Sequence, residues 1–262
     1  MKITFSLLLL LLTQACFAQE WQLEIMPAFS GYHGDLTQKA ININEYKPAI
    51  NVNLKYNTGD FVNFRLGLAY GSVGASDKNN TNPGIIARNL SFKSNIYEAN
   101  LMLELNLMDP ETFSSYPYMT IGVGVFHFNP YTYDSANQKV YLQPLGTEGQ
   151  GLPQYPEKKK YALTQFCLPI GGGWKWPLND TWDMSVEFGY RFLFTDYLDD
   201  VSTTYPNESI LAAARGPLAA SLSYRGTGTA IEGMQRGNPS KNDSYFFGGI
   251  KFSCSLNKLF NK

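Results

Sequence analysis

The chain is short of charge. Asp, Glu, Lys and Arg make up 16% of its 262 residues, against roughly 25% in an ordinary globular domain. The 21 Lys and Arg nearly cancel the 22 Asp and Glu and form no basic stripe, which argues against binding to DNA or RNA. Only three cysteines occur, far too few for a disulfide-held scaffold. Histidine is scarcer still, at two residues. Beyond the N-terminus no apolar run approaches the ~20 residues that a membrane-spanning helix needs, so a helical membrane protein is excluded.

The N-terminus carries an export signal. Lys2 supplies a positive start, Leu7 to Leu12 an apolar core, and Cys16-Phe17-Ala18 a cleavage site before Gln19. Removal takes eighteen residues and one cation, leaving 244 residues (19–262) with a net charge of −2. Acylation of Cys16 is the alternative, but Thr13-Gln14-Ala15 places a bulky polar Gln where small residues are preferred. The remaining Cys167 and Cys254 read as membrane-facing or packed thiols.

What the mature chain has in abundance is period-2 alternation. Ile50, Val52, Leu54 and Tyr56 alternate with Asn51, Asn53, Lys55 and Asn57. The pattern returns over Val62 to Gly71, Tyr97 to Leu107 and Trp182 to Phe194, and less cleanly over Trp21 to Phe29, Tyr118 to Phe128, Tyr161 to Trp176 and Ser244 to Leu256. This predicts eight strands. One face of each is apolar and aromatic, and too little charge remains to clothe a soluble exterior. The reading is an all-β fold: an eight-stranded antiparallel up-and-down transmembrane β-barrel with long extracellular loops, its apolar face toward lipid. Closure follows, because an open sheet edge in hydrocarbon strands backbone polar groups.

The inward phase carries Glu24, Lys55, Arg65, Glu98, Glu104, Lys175, Asp183, Glu187, Arg191 and Lys251, five acids and five bases. A barrel of eight strands is filled by its side chains, so these charges are expected to pair as a polar plug rather than line a conduction path. Tight connections at Asn57–Asp60 and Pro177–Asp180, with a longer one over Asp109–Tyr116, alternate with long loops at 30–46, 72–95, 129–160 and 195–243. Short turns belong to the periplasmic side, which places both termini there, with a small tail from Asn257. Trp174, Trp176 and Trp182 flank a short turn, whereas Phe192 and Phe194 lie near a long loop, as interfacial belts require.

Candidate chemistry is sparse. His33 beside Asp35 on the first long loop could belong to a hydrolase or acyltransferase set; the plainer reading is a Gly34-Asp35 turn with an aromatic packed on the barrel rim. His127 reads as an interfacial residue. Asp196, Asp199 and Asp200 could offer oxygen ligands to Ca²⁺, but lack a calcium-loop spacing and read as a solvated or turn-forming cluster. Lys158-Lys159-Lys160 could touch anionic lipopolysaccharide and reads as a solvated loop. Gly171-Gly172-Gly173 precedes no helix and marks a bend or close approach within a strand, not a phosphate loop. No catalytic residue, metal ligand or cofactor is assigned.

Two long-loop stretches carry a family resemblance. Leu142-Gln143-Pro144-Leu145-Gly146-Thr147-Glu148-Gly149-Gln150-Gly151 and Phe194-Thr195-Asp196-Tyr197-Leu198-Asp199-Asp200-Val201-Ser202 resemble signature stretches of the PorG-type outer-membrane barrels. Tyr32 to Leu36, Asn89 to Phe92, Phe126 to Pro130, Arg236-Gly237-Asn238-Pro239 and Asp243 to Phe247 support this in the family's order. The resemblance implies a non-enzymatic component of type IX protein secretion, and in some bacteria of gliding. It further implies association with a periplasmic ring of a PorK-like lipoprotein and its PorN-like partner. The turns bearing Asn57, Asp60, Asp109, Asn179 and Asp180 are the candidate ring contacts. Outside that resemblance, a structural or adhesion barrel, or a lipid-modifying surface enzyme, stays open.

Overall fold

The computed structural model describes residues 21–37, 45–228 and 230–260; the expected export signal lies outside them. Eight long strands form the frame: β1 (Trp21–His33), β2 (Lys47–Asn57), β3 (Val62–Ser76), β4 (Ser91–Asn106), β5 (Tyr116–His127), β8 (Thr164–Pro177), β9 (Trp182–Leu193) and β10 (Ser244–Ser255). Each pairs antiparallel with its chain neighbour, and β1 pairs with β10 from Gln22↔Ser255 to His33↔Ser244. The sheet therefore closes into an eight-stranded up-and-down barrel. Pairing of the first strand with the last satisfies both edges.

Alternation sets which residues face where. Leu66, Leu68, Leu101, Val123, Phe166, Val186 and Ile250 project outward and are exposed, forming an apolar belt around the barrel. Aromatics flank it: Trp21 packs on Tyr56 near the short turns, and Phe29 stacks on Tyr46 near the long loops. No helix among the described residues is long and apolar enough to cross a membrane.

At three points the structure corrects or extends the expectations. First, β3 and β4 run on to Ser76 and from Ser91, so the 72–95 loop shrinks to residues 77–90. The extension pairs Ser72↔Asn95 through Ser76↔Ser91; its outward side chains are small or polar, so the hydropathy alternation fades while the ladder continues. Second, the long loops have structure of their own. They hold α1 (Pro83–Arg88), a hairpin of β6 (Tyr131–Tyr133) and β7 (Lys139–Tyr141), α2 (Glu208–Arg215) and α3 (Pro217–Ser223). A further helix, α4 (Leu256–Phe260), follows the last strand.

Third, the interior is not uniformly polar. The short-turn half is ionic, but the long-loop half is apolar, built on Met26, Val73, Ile96, Phe126, Leu193, Tyr245 and Phe247. That core continues past Phe92 at the rim end of β4 into Leu36, Leu142, Tyr161, Leu198 and Val201 of the loops. The loops thus close the mouth by sharing one hydrophobic core with the barrel.

Gly171, Gly172 and Gly173 lie in β8 where neighbours approach closely. A Cβ there would stand 2.5 Å from the Phe188 carbonyl, 2.8 Å from that of Tyr118 and 2.3 Å from that of Val186, respectively. Both described cysteines are buried and free.

A plugged barrel with a closed mouth as the candidate site

The plug centres on three carboxylates. Arg65 grips Glu187 with two nitrogens, Nη1 to Oε2 at 2.9 Å and Nη2 to Oε1 at 3.1 Å. Its Nε lies 3.1 Å from Glu24 and Nη1 lies 3.4 Å from Glu104. Lys251 meets Glu187 at 2.6 Å, Glu24 at 3.4 Å and Glu104 at 3.6 Å. Lys175 reaches Glu104 at 2.7 Å, and Lys55 spans Glu24 at 3.4 Å and Glu104 at 3.5 Å. The Tyr118 hydroxyl donates to Glu187 at 2.7 Å, and its ring lies beneath the ammonium groups of Lys175 and Lys251.

A second, smaller cluster lies nearer the mouth. Arg191 holds Glu98 through Nε at 3.1 Å and Nη2 at 3.3 Å. Tyr245 and Asn100 donate to the same carboxylate, each at 2.7 Å, and the guanidinium covers the Phe247 ring. Nine of the ten inward charges are therefore buried and ion-paired. Asp183 is the exception: it sits half-buried at the short-turn mouth, 3.5 Å from the Gln22 amide that donates to it.

At that mouth a polar vestibule of about 280 Å³ is lined by Asn57 and Asp60, with Lys55, Lys175 and Asp183. The other turn residues are occupied locally. Asp109 accepts from the Glu111 N–H at 2.9 Å and the Thr112 hydroxyl at 2.7 Å. Asn179 accepts from the Thr181 and Trp182 N–H groups at 2.9 and 3.0 Å, while Asp180 is exposed.

The opposite mouth is closed by a cap whose hub is Glu148. Gly146, Gly149 and Gly151 adopt positive φ of 59°, 86° and 73°, a region that favours glycine. These hinges turn the Leu142–Gly151 stretch inward, so Thr147 and Glu148 are fully buried. Glu148 accepts from the Ser202 N–H at 2.8 Å, the Thr203 hydroxyl at 2.6 Å and Arg236 Nη1 at 3.0 Å. Arg236 also donates to the carbonyls of Ser223 and Asp200. The 129–160 loop and two distant parts of the 195–243 loop are thus tied at one ion pair. On the flank, Arg88 pairs with Asp77 at 2.8 Å and donates to the carbonyls of Asp35 and Arg236.

The 196–200 cluster is not solvated, contrary to expectation. Asp199 and Asp200 are buried, and Asp196 is 7% exposed. Tyr32 donates to Asp199 at 2.6 Å and lies 3.2 Å from Asp243; Thr147 and Tyr161 donate to Asp200 at 2.5 and 2.7 Å. Burial raises the carboxyl pKa of Asp199 and Asp243 well above the usual range, and neighbouring acids add to the effect. Asp200 rises only to about 6, because burial is opposed by Arg236 and its hydroxyl donors. Asp196 is pushed up to about 8 by burial, with the nearby Ser202 hydroxyl opposing, and among the described residues neither of its oxygens completes a hydrogen bond. Among the described residues, no group of three His, Cys, Asp or Glu side chains is arranged to hold a metal ion.

Lys158 is likewise drawn out of solvent, donating to the Glu148 carbonyl at 3.0 Å and to the Thr204 carbonyl at 2.8 Å; Lys159 and Lys160 stay exposed. His33 is exposed, and among the described residues no hydrogen bond joins its ring to an Asp or Ser. His127 faces outward and shares a 2.9 Å contact with the Thr164 hydroxyl. Sequence reasoning singled out the stretches bearing Tyr32, Glu148, Arg236 and Asp243 as motifs, but gave none of them a role. Their buried partners lie far along the chain, as Glu148 and Arg236 or Tyr32 and Asp199 do, so no local spacing signalled them.

The molecule is thus a closed antiparallel barrel, ion-filled at one end and capped at the other. The chain belongs to the family described as domain of unknown function DUF6089, whose profile matches residues 1–229. No curated protein matches. Among solved structures, Neisserial surface protein A aligns over 91% of this chain and 97% of its own, at 8% identity and a TM-score of 0.44. The attachment invasion locus protein Ail of Yersinia pestis, in complex with the heparin analogue sucrose octasulfate, gives 90% and 97% coverage, 8% identity and a TM-score of 0.43. The outer membrane protein OprG of Pseudomonas aeruginosa gives 90% and 93%, 10% and 0.36. At such values the likenesses carry no argument, and the barrel rests on its own strand pairing.

Proposed function

We propose that the protein is a non-enzymatic outer-membrane barrel, a PorG-like component of type IX protein secretion that associates through its short-turn end with a PorK-like ring lipoprotein and its PorN-like partner. The observation that carries the membrane part is the pairing of an exposed apolar belt with a buried ionic interior. Such a surface is stable facing lipid, whereas water would leave a large apolar area exposed. The neutralised plug argues for an anchoring or scaffolding barrel rather than a channel.

The secretion part is supported by the motifs of the PorG-type resemblance. Their residues, Glu148, Asp199, Asp200, Arg236 and Asp243, build the cap from within, so the specific sequence serves cap architecture. That leaves the short-turn end, with Asn57 and Asp60 on an open polar vestibule, as the face offered to a periplasmic partner. The test is affinity purification from outer membranes in mild detergent, followed by mass spectrometry. Co-elution of a ring-forming lipoprotein and its partner, lost on charge reversal at the three turns, is the expected result. Recovery of the barrel alone, under conditions that preserve a known ring, would sink the secretion reading and leave a structural or adhesion barrel.

A further inference from the structure

A crevice of about 490 Å³ opens in the cap between α1 and residues 234–238. Its walls are held firmly. The Tyr205 N–H donates to the Met234 carbonyl at 2.9 Å, the Asn238 N–H donates to Asp35 at 2.7 Å, and Arg88 ties the Asp35 carbonyl to that of Arg236. Tyr205 meets Tyr224 edge to face at 5.4 Å. The Tyr205 side chain is 1% exposed, yet among the described residues its hydroxyl has no hydrogen-bond partner. A buried hydroxyl without a partner costs stability, and here it belongs to a residue that lines a cavity.

We propose that this crevice binds a neutral sugar ring. Each sugar hydroxyl both accepts and donates and a ring carries several, so one can accept from Tyr205 while another gives its proton to Asp35, which lines the same crevice as an acceptor. Tyr224 and Met234 supply an apolar wall for the C–H face of the ring. The charges present do not call for an anion. Arg88 is engaged by Asp77 through Nε at 2.9 Å and Nη2 at 2.8 Å, and Arg236 by Glu148 and Asp200. A ligand carboxylate would gain no free cation and would meet Asp35.

The test uses the full chain in detergent micelles and three neutral probes, the methyl glycosides of glucose, mannose and galactose, with glucuronate as the anionic control. Saturation-transfer NMR is expected to show at least one methyl glycoside binding at millimolar concentration and glucuronate binding more weakly. Tyr205→Phe is expected to weaken that glycoside about tenfold, the loss of one well-made hydrogen bond. Without sugar it should keep or raise the unfolding temperature, since it deletes an unpaired polar group. Met234→Trp, which fills the crevice from its exposed side, should abolish binding. No transfer from any of the three glycosides, unchanged affinity in Tyr205→Phe, or tighter glucuronate binding would each overturn the proposal. None of these outcomes depends on whether a secretion ring co-purifies.

Discussion

The two ends of this barrel bury acids in opposite ways. In the plug, Glu24, Glu104 and Glu187 each face at least two cations within 4 Å. In the cap Glu148 and Asp200 share the cation of Arg236. Among the described residues, however, Asp35, Asp196, Asp199 and Asp243 have no direct ion pair and are held by hydroxyl or backbone donors or, for Asp196, by no completed hydrogen bond. The difference teaches which part of the molecule is fixed and which is sensitive to protons. In the plug each carboxylate's charge is offset by neighbouring cations, whereas an unmatched buried carboxylate takes up a proton to escape the cost of ionisation.

The strongest way to break the comparison is to unbalance the plug. Glu104→Ala leaves four cations facing one another across the lumen. It is expected to cost about 3–5 kcal/mol, read as a lower urea midpoint for the refolded barrel in micelles. Glu104→Ala combined with Lys175→Met should recover part of that loss; if the double variant is no better than the single, Lys175 and Glu104 do not act as a pair.

Arg236→Met is next in size. It leaves Glu148 buried without its cation and unties the 129–160 loop from the 195–243 loop, at an expected cost of about 2–4 kcal/mol confined to the cap. Limited proteolysis should cut within 195–243 while the barrel keeps its midpoint. Loss of barrel stability to the same degree would show that cap and barrel are one cooperative unit.

Asp196→Asn sharpens the contrast in the opposite direction. The folded-state pKa of Asp196, about 8, lies above the ordinary carboxylate value. Its proton therefore stabilises the cap fully below the unfolded pKa near 4, and that contribution drains away as pH rises through 8. Asp200, at about 6, acts in the same sense over a narrower window. The protection factor of amides in the 195–203 segment, which divides out the intrinsic base catalysis of exchange, is expected to fall between pH 5 and pH 8 in the wild type, by an opening energy of about 1–3 kcal/mol. Asp196→Asn should flatten most of that slope, and a steep slope retained in the variant would assign the sensitivity to Asp199 and Asp243.

The smallest effects are expected at exposed charges outside both networks. Lys159→Ala, or charge reversal at Asp60 and Asp180, should change stability by no more than about 0.5 kcal/mol. A large destabilisation there would mean that the short turns carry a structural load and would spoil them as a test of partner association.

Much of the barrel could be read from the chain because alternation is a local property. Two-residue periodicity in segments such as Val62 to Gly71 fixes which side chains share a face, and the order of short and long connections fixes which strand ends lie together. Legibility failed at the strand ends beside the cap. Phe126, Phe128, Tyr245 and Phe247 point inward with no polar phase to betray them, since aromatics on both faces erase the contrast on which alternation depends.

The sequence by itself determined an eight-strand closed sheet, its inside and outside, and the set of ten charges that must share a narrow lumen. It did so because each of those facts is written within about ten consecutive residues. Only the tertiary structure decided which charges meet. Glu148 finds Arg236 88 positions away, and Tyr32 finds Asp199 and Asp243 across 167 and 211. Such contacts depend on barrel closure bringing four loop ends to one rim and on glycine hinges turning a loop inward. Neither a spacing nor a composition records that convergence.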